Sequence, residues 1–361
     1  MKMRKIVCSF MISVVCFMTA ISGVSATSYD TSKINAAYSK VVEYYKNNNN
    51  LNNADKILAV ESLGLEAESN QFDTSSADLS STSLSKKIVT EVLLGVDPTE
   101  DKKTLESQID ENGNVEGSWG ASSDVWTLYA LYVTSSEKTN LIANKLNDEL
   151  AASSVCGYEW GGTYYADYDT TGWVIEGLAV VNKEKYATTI NKAIDYIKNN
   201  TTMTTTGWVT ADNVDTQSQV LEGMFAYDTN ALLNDSYTVH PVDCLLNTQL
   251  SDGSFPSGYN AEYTTAEVAK TLGTYKNGSV IIKAQKAYDK MMNPEQPDNT
   301  KPAQPTDTKK DSQSTNKVET TNQKTTSVKT GDETNVVIFV SLSMVSGGLF
   351  LVLRKEYERV H

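Results

Sequence analysis

The stretch DTTGWVIEGL, Asp169 to Leu178, lies in register with DTQSQVLEGM, Asp215 to Met224: Asp, Thr, Val, Glu and Gly coincide, and Leu178 is matched by Met224. The same frame accepts SSDVWTLYAL, Ser122 to Leu131, and YTTAEVAKTL, Tyr263 to Leu272. Successive starts are 47, 46 and 48 residues apart. A period in that range signals stacked two-helix units, each too small to bury its apolar face alone.

The second half of each unit also reads as helix. Apolar residues recur three and four apart at Leu141, Ile142, Leu146 and Leu150, at Ile190, Ile194 and Ile197, at Val242, Leu245 and Leu246, and at Ile281, Ile282 and Met291. Upstream, Ile34 to Asn47, Ala54 to Leu63, Leu84 to Gly95 and a weaker stretch around Thr104 to Gln108 behave alike, which makes about twelve helices in six hairpins. Strand signals are nearly absent. TGWVIEGLAVV, Thr171 to Val181, is apolar around most of its circumference, as an inner helix with neighbours on both flanks requires. KEKYATTINKAIDYIKNN, Lys183 to Asn200, keeps a charged face for solvent. Small residues at one repeated position, Ala130, Gly177 and Gly223, predict close helix approach.

Before each repeated helix lies a loop with Gly near an aromatic: Gly117-Ser118-Trp119, Trp160-Gly161-Gly162, Gly207-Trp208 and Gly253-Ser254-Phe255. The last belongs to QLSDGSF, Gln249 to Phe255, and LLGVDPTE runs from Leu93 to Glu100. These features resemble the repeat motif of terpenoid cyclases, shared more loosely by protein prenyltransferase β subunits and by secreted bacterial members of that superfamily. The resemblance spans most of Tyr29 to Asn293. It implies an all-α (α/α)6 toroid, with six inner helices in a ring, six outer helices around them and a cavity at the centre.

Within that resemblance, Asp167-Tyr168-Asp169-Thr170-Thr171 is similar to the acidic motif with which cyclases protonate an alkene, with Thr170 standing where the family has a third acid. Asp167 and Asp169 are therefore the candidate catalytic residues. The competing reading makes Asp169 a helix cap, stabilised as the anion by free N–H groups, with Asp215 repeating the position. Asp167, Asp169, Glu176, Asp212, Asp215 and Glu222 also offer more carboxylates than a glycosidase pair requires, and their spacing selects no pair. The match of Glu176 to Glu222 within the repeat favours packing or a helix-to-helix bond for both.

Metal and cysteine chemistry find less support. His240 and Cys244 with Asp243 lack the Asp-x-Cys spacing of the zinc prenyltransferases, and His240-Pro241 reads as a helix start, so no metal is expected. Cys156-Gly157-Tyr158-Glu159 is an imperfect thioester-like sequence. Cys156 and Cys244 are the two cysteines beyond the signal peptide, and whether they pair is left open. The candidate ligand-binding residues are the aromatics of the expected mouth: Trp119, Trp160, Tyr164, Tyr165, Tyr168, Trp208 and Tyr263.

The ends of the chain give its address. Residues 1–26, basic then apolar and ending in Val24-Ser25-Ala26, form a secretory signal peptide. Residues 294–334, rich in Pro, Thr, Ser, Gln, Asn and Lys, compose a disordered stalk. Residues 336–353 are apolar enough for a transmembrane helix, and the basic tail 354–361 is expected in the cytoplasm. Ser327-Val328-Lys329-Thr330-Gly331 resembles a sortase signal, with Ser-Val in place of Leu-Pro, and implies cleavage between Thr330 and Gly331 and attachment to a Gram-positive cell wall or membrane. A formal net charge of -14 excludes nucleic acid as the expected partner.

The expected protein is thus a secreted, surface-anchored toroid binding an extracellular ligand in its central cavity: a corrinoid or isoprenoid, or a glycan. A terpenoid-cyclase-like or carbohydrate-active enzyme using Asp167 and Asp169 is the first alternative. An adhesion or display protein is the second.

Overall fold

A computed structural model describes residues 29–68, 72, 78, 80–203 and 213–294. The signal peptide, stalk, sortase-like motif, apolar C-terminal segment and basic tail lie outside these residues, as does Trp208. Among the described residues no helix is long and apolar enough to cross a membrane.

The domain is all-α apart from one small hairpin. Its helices are α1 (Ser32–Asn47), α2 (Ala54–Ser62), α3 (Ser81–Leu93), α4 (Thr99–Ser107), α5 (Ala121–Val133), α6 (Thr139–Ser153), α7 (Tyr168–Asn200), α8 (Val214–Asn234), α9 (Pro241–Leu246), α10 (Ala261–Asn277) and α11 (Val280–Met292). α7 and α8 each break once, at Asn182 and Asp228, where the backbone leaves the helical region. The break at Asn182 separates an apolar first half from a charged second half, as the sequence pattern predicts for Thr171 to Asn200. The strands β1 (Gly157–Trp160) and β2 (Thr163–Ala166) pair antiparallel in a segment with no strand expectation. Gly161 and Gly162, both at positive φ, make the two-residue turn between them.

Six of these segments touch in a cycle. α2 packs on α3, α3 on α5, α5 on the first half of α7, α7 on α8, α8 on α10, and α10 returns to α2. Their contacts match early residues with early and late with late: Lys56 with Glu262, Gly172 with the Gln219 backbone, Glu222 with Thr274. The six therefore run in one direction and start at one end of the ring. Around them, α4 lies on α3 and α5, α6 on α5 and α7, and α1 on α10 with α9 alongside.

Close contact between α7 and α8 depends on glycine. A Cβ at Gly172 would lie 2.4 Å from the Gln219 carbonyl oxygen, and one at Gly223 would lie 2.3 Å from that of Gly172. Gly177 meets Leu128 and Val125 of α5 at 3.1 and 3.3 Å. The repeated small position thus sets the spacing of the inner wall. QLSDGSF has a comparable structural task, because Gln249 Nε2 donates to the carbonyls of Ala37 (3.0 Å) and Gly253 (3.1 Å) and fastens α1 to the loop before α10.

α11 departs from the expected plan of an outer helix. It packs on α2, α3, α5 and α10, and its cap residue Ser279 bonds Glu176 of α7 at 2.6 Å. Lys283 Nζ reaches the Glu61 carbonyl (2.8 Å) and carboxylate (2.7 Å) at the end of α2, and Asp289 lies by Ser135 after α5. α11 therefore crosses the end of the ring where the inner helices finish. Its apolar stripe is the same that an outer helix would show, so periodicity alone does not separate the two placements.

Candidate functional site

Capping fixes how the open end is built. The N-cap of α7 is Asp167, whose backbone is extended and whose Oδ1 accepts from the Thr170 N–H at 3.0 Å while Oδ2 accepts from Thr170 Oγ1 at 2.7 Å. Asn53, Asn213 and Asn260 do the same for α2, α8 and α10. The reading of Asp169 as the cap is thus overturned. Two carboxylates two residues apart both precede an apolar run, and the one with extended backbone lies where its oxygen reaches the N–H three residues on.

Freed from capping, Asp169 turns toward α8, where the Thr216 hydroxyl donates to it. Burial, with Asp167, Asp215 and Glu267 nearby, raises its carboxyl to about 7. The fold favours the neutral form, so the stability associated with Asp169 is fully present below about 4, the ordinary carboxyl range, and is lost as pH rises through 7. Asp169→Asn, which keeps an acceptor for Thr216, is expected to leave stability unchanged at pH 4 and to raise it by ~1–2 kcal/mol at pH 8, after allowance for partial exposure. Urea unfolding at the two pH values measures this; equal changes at both would contradict it.

The repeat register places three layers of side chains on the inside of the ring. Positions one, five and eight of the frame share a helical face. Position one holds Ser122, Asp169, Asp215 and Tyr263; position five holds Trp126, Trp173, Gln219 and Glu267; position eight holds Tyr129, Glu176, Glu222 and Lys270. α2 and α3 add Asp55 and Lys86.

In the middle layer the groups form a nearly continuous girdle. Trp173 and Trp126 meet edge to face at 5.9 Å, Lys86 Nζ lies 4.6 Å from the Trp126 ring, and Asp55 binds Lys86 at 2.9 Å. Across the ring, Gln219 Nε2 is 3.3 Å from Glu267 Oε2 and 3.4 Å from the Tyr263 hydroxyl. Below, Lys270 Nζ lies 3.0 Å from Glu267 Oε2 and 3.8 Å from Glu222 Oε2. Glu176 takes Tyr129 OH at 3.0 Å and Ser279 Oγ at 2.6 Å, the helix-to-helix bonding anticipated for it. Burial raises the carboxyls of Glu176, Glu222 and Glu267, and Lys270 opposes the rise in all three. The paired glutamates hold the Lys270 ammonium well above the usual range despite its burial.

Several polar atoms of this girdle are buried without a hydrogen-bond partner: Asp215 Oδ1, Gln219 Oε1, Glu267 Oε1, Glu222 Oε2 and Trp173 Nε1. Gln219 and Glu267 are each 1% exposed. Orphaned buried acceptors are rare because each forfeits its solvation. Asp55, Lys86, Asp169, Trp173 and Tyr263, which border these atoms, remain partly exposed at the end of the ring where the inner helices start.

The aromatic candidates surround that end in different ways. Tyr168 is the first residue of α7, and the half-buried Tyr263 belongs to the girdle. Trp119 is 64% exposed in the loop before α5, while Tyr164 and Tyr165 are exposed on β2, Tyr165 stacked on Tyr158 at 5.5 Å. Trp160 ends β1, and its side chain is outside the description. Tyr259, absent from the sequence-derived set, hydrogen-bonds Asp215.

The remaining sequence candidates resolve structurally. His240 caps α9, its Nδ1 accepting from the Val242 N–H at 3.2 Å ahead of Pro241. Cys156 and Cys244 are thiols, and burial pushes the Cys156 thiol up, away from nucleophilic chemistry. Among the described residues no three His, Cys, Asp or Glu side chains converge as metal ligands. Compared with family models, curated proteins and solved structures, the chain matches none.

Proposed function

We propose that the domain is an α/α toroid of six hairpins that binds a small extracellular ligand at the open end of its ring, in a protein exported by its signal peptide and held at the cell surface by its C-terminal segment. The helix cycle and its common direction support the toroid. The observation that carries the binding reading is the set of buried, unpartnered polar atoms below the mouth, Gln219 Oε1 and Glu267 Oε1 above all. A protein that keeps such groups beside partly exposed residues at one end of its helices gains free energy when a bound molecule completes their hydrogen bonds. Corrinoids, isoprenoids and wall glycans are the ligand classes to compare.

The test is a thermal-shift screen of the full chain against those three classes. A bound ligand at a hundred times its Kd adds about 2.7 kcal/mol to stability by mass action, which raises the melting temperature measurably. No shift with any class would count against the reading.

An enzymatic reading is favoured by one observation, that Asp169 is free of the helix N–H groups and retains its proton to about pH 7. That state suits a general acid at neutral pH. Product formation from an isoprenoid or glycan, abolished in Asp169→Asn, would establish it.

A further inference from the structure

Resting on the binding reading above, we infer that the mouth is built for an organic cation: a molecule carrying a protonated amine next to an apolar or aromatic body.

The groups Asp169, Asp215, Gln219, Glu267, Tyr259 and Tyr263 offer mostly acceptors. Three of the unpartnered buried atoms there, Asp215 Oδ1, Gln219 Oε1 and Glu267 Oε1, need donors, while Trp173 Nε1 in the layer of Gln219 and Glu267 is an unpartnered donor. The charged groups acting on Asp169 are all acids: Asp167 on its own helix, Asp215 from α8 and Glu267 from α10. Those acting on Tyr259 are Asp215, Glu267 and Asp169. Lysines on the flanking ring helices are already engaged: Lys56 by Glu262 at 2.8 Å, Lys86 by Asp55 at 2.9 Å, and Lys270 by Glu267 at 3.0 Å. No arginine occurs between residues 29 and 294. The site therefore lacks the guanidinium fork that recognises phosphate or carboxylate, and its field repels both.

The fold already demonstrates the seating of an ammonium. Lys270 and Lys86 bring theirs to carboxylates on one side and to the Trp126 ring on the other, at 5.7 and 4.6 Å. Nearer the mouth the same ingredients recur in Asp169, Asp215, Tyr259 and Tyr263, and among the described residues no lysine pairs with either of these two carboxylates. A ligand ammonium entering there supplies up to three donors to the orphaned oxygens and meets the tyrosine faces.

The experiment compares three probes of one shape on the full chain in non-ionic detergent: phenethylammonium, 2-phenylethanol and phenylacetate. Calorimetry at pH 8 is expected to show phenethylammonium binding at least tenfold more tightly than 2-phenylethanol, with no binding of phenylacetate. Protons compete with the cation for Asp169, so its affinity is expected to fall several-fold between pH 8 and pH 5.5 while that of the alcohol stays constant. Asp169→Asn, which the pH argument makes at least as stable as the natural chain, is expected to lose about tenfold for the cation and its pH dependence, with helical circular dichroism unchanged. Equal or tighter binding of the alcohol, binding of the anion, or binding of none of the three overturns the inference. A positive ligand screen beside any of those outcomes leaves the broader binding reading standing, whereas a negative screen removes both.

Discussion

Gly223→Ala is expected to destabilise the domain by about 3 kcal/mol. The added methyl would lie 2.3 Å from the Gly172 carbonyl oxygen and 3.2 Å from Ile175 Cβ, and neither is the movable end of a long side chain. Relief requires α7 and α8 to separate, and the ring then has to open elsewhere or strain its other contacts. Gly172→Ala meets the reciprocal obstacle, so the pair should be strongly non-additive once the helices have moved apart. Gly258→Ala is the matched control, because nothing lies within 4 Å of its built Cβ, and it should change stability by less than about 0.5 kcal/mol. Denaturant melts of the three variants decide the matter. Similar midpoints for Gly223→Ala and Gly258→Ala would show that the helices yield without cost.

The second large effect is expected at Lys270. Its ammonium is the internal counter-charge for Glu267 and Glu222, and burial raises the carboxyls of both. Lys270→Met removes the charge and leaves the acids buried, a change that costs about 3–5 kcal/mol at pH 8. The loss should be roughly half as large at pH 5, since the carboxyls then take protons more readily. Adding Glu267→Gln to Lys270→Met should recover part of the loss at pH 8, and a double-mutant cycle gives the coupling directly. A pH-independent loss with no recovery would mean that the lysine acts through its methylene packing alone.

Much of the scaffold is readable from the residues. Isoleucines and leucines three and four apart mark the helices because burial on one face imposes that spacing, and repeated glycines mark the close crossings because no side chain fits there. The register also defines which residues share a layer: Trp126, Trp173, Gln219 and Glu267 hold one frame position. Their meeting requires ring closure, which brings together residues as much as 141 positions apart in the chain and which no local pattern encodes. The assignment of the cap failed for a related reason. Asp167 and Asp169 have the same chemistry, and the choice rests on backbone angles set by the β2 strand leading into α7. Tyr259 escaped notice because it lies in a Gly-Pro-Ser loop outside the repeat, where proximity to Asp215 is purely tertiary. The path of α11 was equally hidden, as its stripe suits either an outer wall or an end cap.

If the proposed ligand binds, that end cap governs its traffic. With α11 laid across one end, a molecule at the girdle would have to back out along the route by which it arrived. Entry and departure would then share a transition state at the rim, to which the tyrosine hairpin and the loops before α5 and α10 contribute. Substitutions there that do not touch the bound molecule should speed or slow exchange in both directions by the same factor and leave occupancy at equilibrium as it was.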